Sequence, residues 1–364
     1  MFARASTTRT AFKTCLVGLF IALASPALFA EVIPANDPGF TYYGRVDAGD
    51  PQAPAIMWSG TYVEFGVEDA SSLRLILDDS KGQNYFDVIV NGDEANMQVI
   101  DCVKGKHSYE VNLPTTTSRV TVFKRTEYTQ GTTLFEGIDL PEGAKMLPPA
   151  PAPSRRIEFF GDSITCGMGN LAPDNAKDGN IDEKDNYLAY GAMTARNLDA
   201  DYRCISRSGI GIIKSWYPLV MPELYNRLDP NDPSSRWDFT QWTPDVVVIN
   251  LFQNDSWLLA RMEPGTAPGP EAIVQAYKDF VGSIRKEYPQ AHIVCALGSM
   301  DATREGSPWP GYIEEAVAQM NAAGDKNVSV CFFPFDGFSK HPRVKHHHRN
   351  AEILTDHIRQ QTGW

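Results

Sequence analysis

One stretch of this sequence decides its fold class, and it reads Ile157-Glu158-Phe159-Phe160-Gly161-Asp162-Ser163-Ile164-Thr165-Cys166-Gly167. Its apolar residues predict a buried strand, which ends at the Gly161-Asp162-Ser163 triplet and leads into a helix. In an open α/β sheet, ligands bind outside the carboxyl ends of the strands. A serine at such a strand end, beside a helix N-terminus that favours negative charge, is a candidate nucleophile. The same triplet is also common in ordinary turns, so the rest of the chain has to decide between the two interpretations.

The chain after this stretch alternates predicted strands and helices. The run 245–251 is continuously apolar, as expected of a parallel strand that is covered on both faces. The other predicted elements are strands at 202–205, 292–297 and 328–333 and helices at 187–197, 271–288, 313–323 and 350–361. This alternation predicts a doubly wound, flavodoxin-like α/β domain, which we place at residues 146–364. Ser163, Gly209 and Asn254 each follow a predicted strand, so we expect them to converge on one edge of the sheet.

Residues 31–145 have the pattern of an all-β domain. Short runs rich in β-branched and aromatic residues, at 61–67, 73–77, 85–90 and 119–124, are separated by turn residues. Asn91-Gly92, directly after the third run, predicts a hairpin turn. These short strands predict a jelly-roll sandwich rather than βαβ units, and we interpret the domain as a non-catalytic accessory. The proline-rich segment 141–153 favours an extended connection to the second domain.

Residues 1–30 have the layout of a secretory signal peptide. Three basic residues precede an apolar run at 15–24, and small residues follow as a cleavage zone, with Ala27 and Ala30 as the two candidate cleavage sites. The apolar run is shorter than the about 20 residues that a membrane-spanning helix needs, which disfavours an N-terminal anchor. We therefore expect a secreted or periplasmic protein that is free of the membrane after cleavage.

The charge balance disfavours several classes of partner. The 364 residues include 33 basic and 45 acidic ones, a net charge of −12. Residues 1–30 contain three of the basic and none of the acidic residues, so the chain without them has a net charge of −15. Such a surface repels phosphate groups, so neither nucleic acid nor an anionic membrane is an expected partner. A neutral or cationic substrate fits this charge better, and the sequence does not determine the oligomeric state.

The cysteines and histidines predict neither a metal site nor a cofactor. Five of the six cysteines follow the predicted leader, without the paired spacing of a zinc or redox motif. One disulfide, Cys166–Cys204, is compatible with export. His346, His347 and His348 are adjacent, and adjacent side chains on a helix point in different directions, so we do not expect them to bind one ion together.

The residues at the predicted strand ends form a set that can cleave an ester. Ester cleavage needs a nucleophile, a base, and donors directed at the developing oxyanion. Ser163 supplies the hydroxyl. The backbone N–H groups of Ser163 and Gly209 and the side-chain amide of Asn254 can supply the donors. His341, in a loop before the last predicted helix and followed by Pro342, is the candidate base.

These residues resemble the four blocks of the SGNH (GDSL-type) hydrolases, which here are Gly161-Asp162-Ser163, Gly209, Asn254-Asp255 and His341. More narrowly, the chain after the leader resembles carbohydrate esterase family 2. The segments that carry this resemblance are Lys124-Arg125-Thr126-Glu127, residues 160–167, residues 187–192 and His341-Pro342. The resemblance implies a small jelly-roll domain joined to an SGNH domain, without a cofactor. It also implies removal of acetyl groups from plant polysaccharides such as xylan and glucomannan.

The sequence departs from the superfamily pattern at two positions. Phe252 stands where a glycine opens the third block, and we expect its ring to narrow the site or to change what it accepts. Phe338 stands where the pattern has an aspartate, three residues before the histidine. A third group is still needed to orient the imidazole. We favour a backbone carbonyl for this role, as in family members with a Ser-His dyad, with Asp336 as the alternative.

The resulting hypothesis is a secreted serine esterase that deacetylates plant cell-wall glycans through an acetyl-Ser163 intermediate. Trp216, Trp257 and Trp309 are predicted in loops of the second domain, and each is a candidate for stacking on a sugar ring. Two alternatives stay open. One is another SGNH esterase, either lipase-like or acting on peptidoglycan O-acetyl groups. The other is a glycan-binding protein whose hydrolase domain has lost turnover.

Overall fold

The computed structural model describes residues 29–364, in an antiparallel β unit followed by an α/β unit. The predicted leader lies outside the described residues except for its last two, which begin the first strand. The strands of the β unit are β1 (Phe29–Ile33), β2 (Thr41–Tyr43), β3 (Val46–Asp47), β4 (Ala55–Ile56), β5 (Tyr62–Glu68), β6 (Ser72–Asp79), β7 (Tyr85–Val90), β8 (Gln98–Asp101), β9 (Gly105–Asn112), β10 (Thr117–Lys124), β11 (Thr133–Pro141) and β12 (Lys145–Leu147). The α/β unit contains β13 (Arg155–Gly161), α1 (Ser163–Cys166), α2 (Tyr190–Asn197), β14 (Ala200–Ser206), α3 (Met221–Leu224), β15 (Val246–Asn250), α4 (Gln253–Leu259), α5 (Pro270–Glu287), β16 (His292–Leu297), α6 (Trp309–Ala322), β17 (Val328–Phe332) and α7 (Val344–Thr362).

The β unit is a sandwich of two antiparallel sheets, as predicted. One sheet has the order β3-β4-β11-β6-β9, with β1 also paired to β11; the other has the order β12-β5-β10-β7-β8, with β2 also paired to β5. Alternate side chains of the long strands point into a shared apolar core, among them Val63, Phe65, Val67, Leu73, Leu75 and Leu77. This period of two is what a strand with one buried face requires.

The turn at Asn91-Gly92 differs from the predicted two-residue hairpin. Both residues have positive φ, 55° and 73°, as a tight hairpin turn requires. The chain then continues through a short 3₁₀ helix, Glu94–Asn96, before β8 pairs with β7. Asn91 is tied to β10 instead, because its backbone N–H donates to the Arg119 carbonyl and its side-chain oxygen accepts from the Arg119 N–H, both at 2.8 Å. The hairpin therefore has a longer connection than the sequence predicts.

The change from one unit to the other lies between β12 and β13. β12 pairs with β5, so it is the last strand of the sandwich, and the predicted boundary at 145/146 falls inside it. β13 begins the parallel sheet. The proline-rich segment 148–154 connects the two strands.

The sheet of the α/β unit is entirely parallel, with the order β14-β13-β15-β16-β17. In chain order its strands run second, first, third, fourth, fifth, which is the predicted flavodoxin-like order. The direction of winding reverses between β13 and β15. Ligand sites of such sheets lie at this reversal, outside the carboxyl ends of the strands. Ser163 directly follows β13, and Asn254 follows β15.

Helices cover both faces of this sheet. Consecutive residues of one strand point to opposite faces: Phe160 packs with α5 and α6, whereas Phe159 packs with α2 and α7. This explains why the strands are continuously apolar. The last helix starts at Val344, earlier than predicted, because the Arg343 N–H donates to His346 Nδ1 (2.8 Å) and closes its first turn. Within residues 29–364, no helix combines the length and the apolar character needed to cross a bilayer.

Candidate active site

Ser163 lies at a sharp turn between β13 and α1. A Cβ atom at Gly161 would overlap the Thr165 hydroxyl, so only glycine allows this close approach. Asp162 caps α1, because its Oδ1 accepts from the Ile164 N–H at 2.9 Å. Burial raises the pKa of Asp162 to about 7. The turn leaves Ser163, 5% exposed, at the carboxyl edge of the sheet.

His341 meets Ser163 across this edge. Its Nε2 lies 2.9 Å from the Ser163 Oγ, a distance at which a proton can pass from the hydroxyl to the imidazole. The two residues are brought together by the loop between β17 and α7, and Pro342 restricts the backbone of that loop. The predicted nucleophile and base therefore lie within hydrogen-bond distance.

The other ring nitrogen of His341 faces Asp178. The distance from Nδ1 to Asp178 Oδ2 is 3.0 Å, and the same oxygen accepts from the His341 backbone N–H at 2.6 Å. Arg343 Nη1 lies 3.4 Å from this oxygen. Burial alone would raise the pKa of Asp178, but the hydrogen bonds from His341 outweigh it and hold the pKa well below its ordinary value. The carboxylate is therefore ionised and can fix the tautomer of the imidazole.

Neither of the two groups predicted to orient the imidazole, a backbone carbonyl or Asp336, is the partner of His341 Nδ1. Asp336 lies 3.4 Å from His346 Nε2, and its Oδ1 accepts from the Phe338 N–H at 3.1 Å. The Phe338 ring packs on His346, with centroids 4.8 Å apart. The expectation of a backbone carbonyl or Asp336 is thus wrong for Nδ1. Asp178 belongs to the polar segment 170–185, which connects α1 to α2, and no spacing relates it to the distant histidine.

The predicted oxyanion donors lie beside the Asp162-Ser163 turn. Asn254, in the first turn of α4, is buried; its Nδ2 donates to the Ile210 carbonyl (2.9 Å) and lies 3.2 Å from Asp162 Oδ2. Its Oδ1 accepts from the Trp216 Nε1–H at 3.0 Å, which fixes the orientation of the amide. Gly209 has a φ of 84°, and a Cβ there would crowd the Trp216 ring. Asn254 thus lies next to Asp162, and Trp216 contacts both Asn254 and Gly209. The role of Ser163, Gly209 and Asn254 as oxyanion donors stays a prediction.

The loop that carries Gly209 is held by Asp255. The carboxylate of this buried residue accepts from the backbone N–H groups of Ile212, Ile213 and Lys214, at 3.0, 2.8 and 2.9 Å. Burial raises the pKa of Asp255 and these hydrogen bonds oppose the rise. The Asn254-Asp255 pair thus serves two purposes, with one side chain at the site and the other fixing the neighbouring loop.

The sandwich also reaches this loop, through Glu127. Its Oε1 accepts from the Ser208 hydroxyl (2.6 Å) and from Lys184 Nζ (3.1 Å), and its Oε2 accepts from the Ser208 N–H (2.8 Å). Burial alone would raise the pKa of Glu127, but Lys184 and Ser208 hold it below its ordinary value. The first domain therefore fixes the residue next to Gly209, a contact that the sequence did not reveal.

Phe252 does not narrow the site. Its side chain is fully buried and packs on Tyr277 and Trp309, with ring centroids 4.9 and 5.0 Å apart. Its φ is 90°, in the region that glycine adopts most easily, which explains why the superfamily has a glycine at this position. The expectation that the ring shapes the site is wrong, because the ring points into the core beneath α4.

The three candidate tryptophans have different environments. Trp216 lies in a loop, is 53% exposed, and contacts Asn254 as described. Trp257 lies in α4 rather than in a loop, and its Nε1–H donates to Asp301 Oδ1 at 2.8 Å. Trp309 begins α6 and is 8% exposed because it packs in the core, although it also lines a cavity beside Trp257. Trp216 alone of the three combines wide exposure with contact to the site.

The cysteines of residues 29–364 are all free and buried. The Sγ atoms of Cys166 and Cys204 both contact the Ser206 hydroxyl, at 3.2 and 3.0 Å, rather than each other. His347 is buried and accepts from the Tyr190 N–H, His346 faces Asp336, and His348 is exposed. In this part of the chain, no group of three or more His, Cys, Asp or Glu side chains is arranged to hold a metal ion.

Comparison with known proteins agrees with this fold. Residues 42–153 match the carbohydrate esterase 2 N-terminal model, and residues 159–352 match the GDSL-like lipase/acylhydrolase family. The structure of a family two carbohydrate esterase from Clostridium thermocellum, in complex with cellohexaose, has a TM-score of 0.80 and 31% identity over 90% of this chain and 100% of that one. The chain belongs to carbohydrate esterase family 2.

Two relatives of this family 2 esterase are themselves described as esterases. The cellulase/esterase CelE of Acetivibrio thermocellus is 33% identical over 340 residues, which are 90% of this chain and 40% of that protein. The chain thus spans less than half the length of CelE. An acetylxylan esterase / glucomannan deacetylase of Cellvibrio japonicus is 26% identical over 348 residues, 92% of each chain. The predicted architecture, an all-β domain before an SGNH esterase domain, is confirmed.

Proposed function

We propose that this family 2 esterase removes O-acetyl groups from neutral plant cell-wall polysaccharides such as xylan and glucomannan, through an acetyl-Ser163 intermediate. The observation that carries the proposal is the continuous hydrogen-bonded chain from Ser163 Oγ through His341 to Asp178. This arrangement activates a serine for attack on an ester carbonyl. The activities named for the Cellvibrio relative support acetylated xylan and glucomannan as substrates.

The first half-reaction acylates Ser163. His341 Nε2 takes the hydroxyl proton while Oγ attacks the acetyl carbon, and Asp178 stabilises the imidazolium that forms. The tetrahedral intermediate collapses when the same imidazolium gives its proton to the departing sugar oxygen. The sugar leaves as an alcohol, and the acetyl group stays on Ser163 as an ester.

The oxyanion of the intermediate is stabilised by the N–H groups of Ser163 and Gly209 and by the Asn254 amide. Trp216 donates to Asn254 Oδ1 and so fixes the amide, with one Nδ2 hydrogen donated to the Ile210 carbonyl and the other directed toward Asp162 Oδ2, next to Ser163. This second hydrogen is the one proposed to reach the oxyanion. Fixed donors of this kind each contribute about 10²–10³ in kcat in serine hydrolases. Asp255 and Glu127 do not contact the oxyanion themselves. They position its donor Gly209, because they hold the loop that carries it.

The second half-reaction returns the enzyme. Water attacks the acetyl-Ser163 carbonyl, and His341 Nε2 accepts one of its protons. The second tetrahedral intermediate then releases Ser163, which recovers its proton from the imidazolium, and acetate leaves with the oxygen of the water. The polysaccharide itself is neutral apart from its substituents, which suits a chain of net charge −12.

Trp216 is the proposed contact for a sugar ring. Its indole is 53% exposed, lies over Gly209, and is adjacent to the acyl site through Asn254. A flat apolar ring at this place fits the face of a sugar whose acetyl group points at Ser163.

Acetate release from defined substrates tests the proposal. Wild type and Ser163→Ala are compared on acetylated xylan, acetylated glucomannan, acetylated peptidoglycan, and aryl esters of acetic and long-chain acids. We expect release from the plant glycans and the aryl acetate, with a loss of about 10³-fold or more in Ser163→Ala. The exposed Ser234→Ala is the matched control and keeps full activity. Activity retained in Ser163→Ala contradicts the mechanism. Preference for long acyl chains or for peptidoglycan supports the lipase-like or peptidoglycan alternative, and glycan binding without acetate release supports a non-catalytic role.

We also propose that residues 1–30 direct export. The test is the N-terminal sequence of the protein recovered outside the cytoplasm after expression of the full chain. We expect it to begin after Ala27 or Ala30. A product that keeps Met1, or that stays in the cytoplasm, contradicts this proposal.

A further inference from the structure

A groove runs along α4 beside the acyl site. It consists of two adjoining cavities of about 340 and 280 Å³, which share three lining residues, Trp257, Asp301 and Arg304. Trp257 lies on α4 three residues after Asn254, and the second cavity reaches Ser339, two residues before His341. The groove therefore borders the place where the acetylated sugar of the proposed substrate must lie.

The lining of the groove combines apolar rings with a fixed polar group. The residues Trp257, Phe335 and Phe338 contribute the rings. Asp301 is held in place, because its Oδ1 accepts from the Trp257 Nε1–H (2.8 Å) and from Gln253 Nε2 (2.9 Å). Apolar walls with a few fixed polar groups are the usual composition of small-molecule sites.

Arg304 adds an unpaired positive charge to this groove. The residue is exposed and lines both cavities. Its backbone N–H donates to the Asp301 carbonyl at 3.2 Å. Within residues 29–364, however, its guanidinium makes no hydrogen bond or ion pair, so the Asp301 carboxylate does not pair with it. The guanidinium is therefore open to an acceptor that a ligand brings.

A second guanidinium extends the positive charge toward Trp216. Arg261 is exposed and lines the first cavity, and its guanidinium carbon lies 5.2 Å from the Trp216 ring centroid. The groove thus reaches the exposed indole that is proposed to contact a sugar. The charged lining residues are Arg261, Arg304 and Asp301, a positive balance in a chain of net charge −12. Such a local reversal of sign attracts an anionic group.

We propose that this groove binds a hexuronic acid branch of the acetylated polysaccharide, with its carboxylate on Arg304. A guanidinium only donates hydrogen bonds, and a carboxylate is among its strongest partners. The choice of a sugar rests on the proposed function, because the groove borders the acyl site, whereas the choice of a carboxylate rests on the free guanidinium. The esterase then prefers polymers in which an acidic branch lies close to the acetylated sugar.

Calorimetry with matched oligosaccharides tests the site in the Ser163→Ala background, where no acetate is released. The ligands are a xylo-oligosaccharide with one glucuronic acid branch and the same compound with its carboxyl group reduced to an alcohol. At low salt, we expect the acidic compound to bind about threefold to tenfold more tightly. The difference should shrink in NaCl at about 1 M, where the Debye length is about 3 Å.

Substitutions of Arg304 assign this preference to its guanidinium. Arg304→Gln should abolish the preference, and Arg304→Lys, which keeps the charge without the fork, should retain part of it. Arg236→Gln, at an exposed arginine that lines neither cavity, is the matched control and should keep the full preference. Arg304 is exposed, so we expect its variants to fold, and thermal unfolding of each variant checks this.

Acetate release provides a second readout. The ratio of kcat/KM for acetylated xylan with glucuronic acid branches to that for acetylated xylan without them should be about three to ten in wild type and close to one in Arg304→Gln. A binding preference without acetate release from either polymer contradicts the esterase and supports the groove, so the two failures give different results.

Three outcomes overturn the proposal. The first is equal binding of the two oligosaccharides, and the second is a preference that both Arg304→Gln and Arg304→Lys keep in full. The third is a crystal structure of the complex in which the carboxylate lies away from Arg304.

Discussion

Phe252 holds a backbone conformation that residues with a side chain rarely adopt, a φ of 90°. Such strain costs about 1–3 kcal/mol. The ring offsets it, since burial of a phenylalanine is worth about 3–5 kcal/mol when measured by truncation to alanine. Packing in the core beneath α4, and not contact with the substrate, therefore explains the phenylalanine at this position. Phe252 nevertheless directly precedes Gln253 and Asn254, the first two residues of α4.

Two substitutions at this position separate strain from packing. Phe252→Ala loses the ring and keeps the strain, so we expect a loss of about 3–5 kcal/mol in the free energy of unfolding. Phe252→Gly loses the ring and relieves the strain, so we expect a smaller loss, of about 1–3 kcal/mol. Urea unfolding measures both. The kcat/KM of the folded variants should stay within about tenfold of wild type. A glycine variant less stable than the alanine variant, or a new acyl-chain preference in either, would contradict this account.

At the scale of elements, the loop after β14 is held in place by hydrogen bonds to residues of other elements. Asp255 of α4 binds its backbone on one side, and Glu127, which follows β10 of the sandwich, binds Ser208 on the other. Lys184 pairs with the same glutamate and is itself buried. The position of Gly209 thus depends on elements from both units. We therefore expect a substitution at the sandwich side of this contact to lower kcat.

Glu127→Gln tests this dependence. The amide keeps one acceptor for Ser208 but leaves Lys184 as a buried charge without its partner, which costs about 3–5 kcal/mol. We expect that loss in the free energy of unfolding and a fall in kcat of about tenfold or more, because a loosened Gly209 loop holds the oxyanion less well. The control is Glu136→Gln, whose partner Lys106 is exposed, with a loss below about 1 kcal/mol. Equal effects of the two substitutions on kcat would show that Glu127 does not position the loop.

The elements also explain what the sequence could and could not predict. β13 and β15 were predictable because parallel strands covered on both faces are continuously apolar. Among the sandwich strands that the sequence analysis does not name, β2, β3, β4 and β12 have only two or three residues, too few for an alternation to be recognised. Ser163, Gly209, Asn254 and His341 follow strands in order and could be found. Asp178 could not, because its position is set by the folding of a polar loop against His341 and not by any local spacing.

At the scale of the whole molecule, buried polar contacts join the two units. Arg45 of the sandwich binds Glu158 of β13 with both side chains fully buried. Arg125 donates to the carbonyls of Asp182 and Lys184, in the segment that also carries Asp178. The sandwich, which the sequence predicts to be a non-catalytic accessory, is thus also part of the framework that holds the active site.

Buried neutral histidines make the stability of this framework depend on pH. Burial lowers the pKa of His347 to about 3, below its ordinary value of 6.5. The unfolded chain therefore takes up a proton near pH 6.5 that the folded chain takes up only near pH 3, so stability falls as the pH drops through this window. The slope is about 1.4 kcal/mol per pH unit for this one residue.

His347→Asn should remove this dependence, because the asparagine side chain does not titrate. Its amide oxygen can still accept the hydrogen bond that the Tyr190 N–H now donates to His347 Nδ1. The variant is expected to be less stable than wild type at pH 7.5, and the difference should shrink by about 2 kcal/mol at pH 5. Urea unfolding at both pH values measures it, with the exposed His348→Asn as control. A constant difference between wild type and His347→Asn across this range would rule out the neutral buried imidazole.

The central claim is that Ser163, His341 and Asp178 act as one unit, and steady-state kinetics of a matched pair of variants on acetylated xylan test it most directly. Asp178→Asn keeps the shape of the side chain but cannot hold the imidazole in the required tautomer. We expect kcat to fall by about 10²–10⁴ with little change in KM. Asp336→Asn, at the residue nearest to the superfamily position, should keep kcat within about threefold of wild type, because its carboxylate binds His346 instead. A large loss in Asp336→Asn together with near-normal kcat in Asp178→Asn would contradict the account.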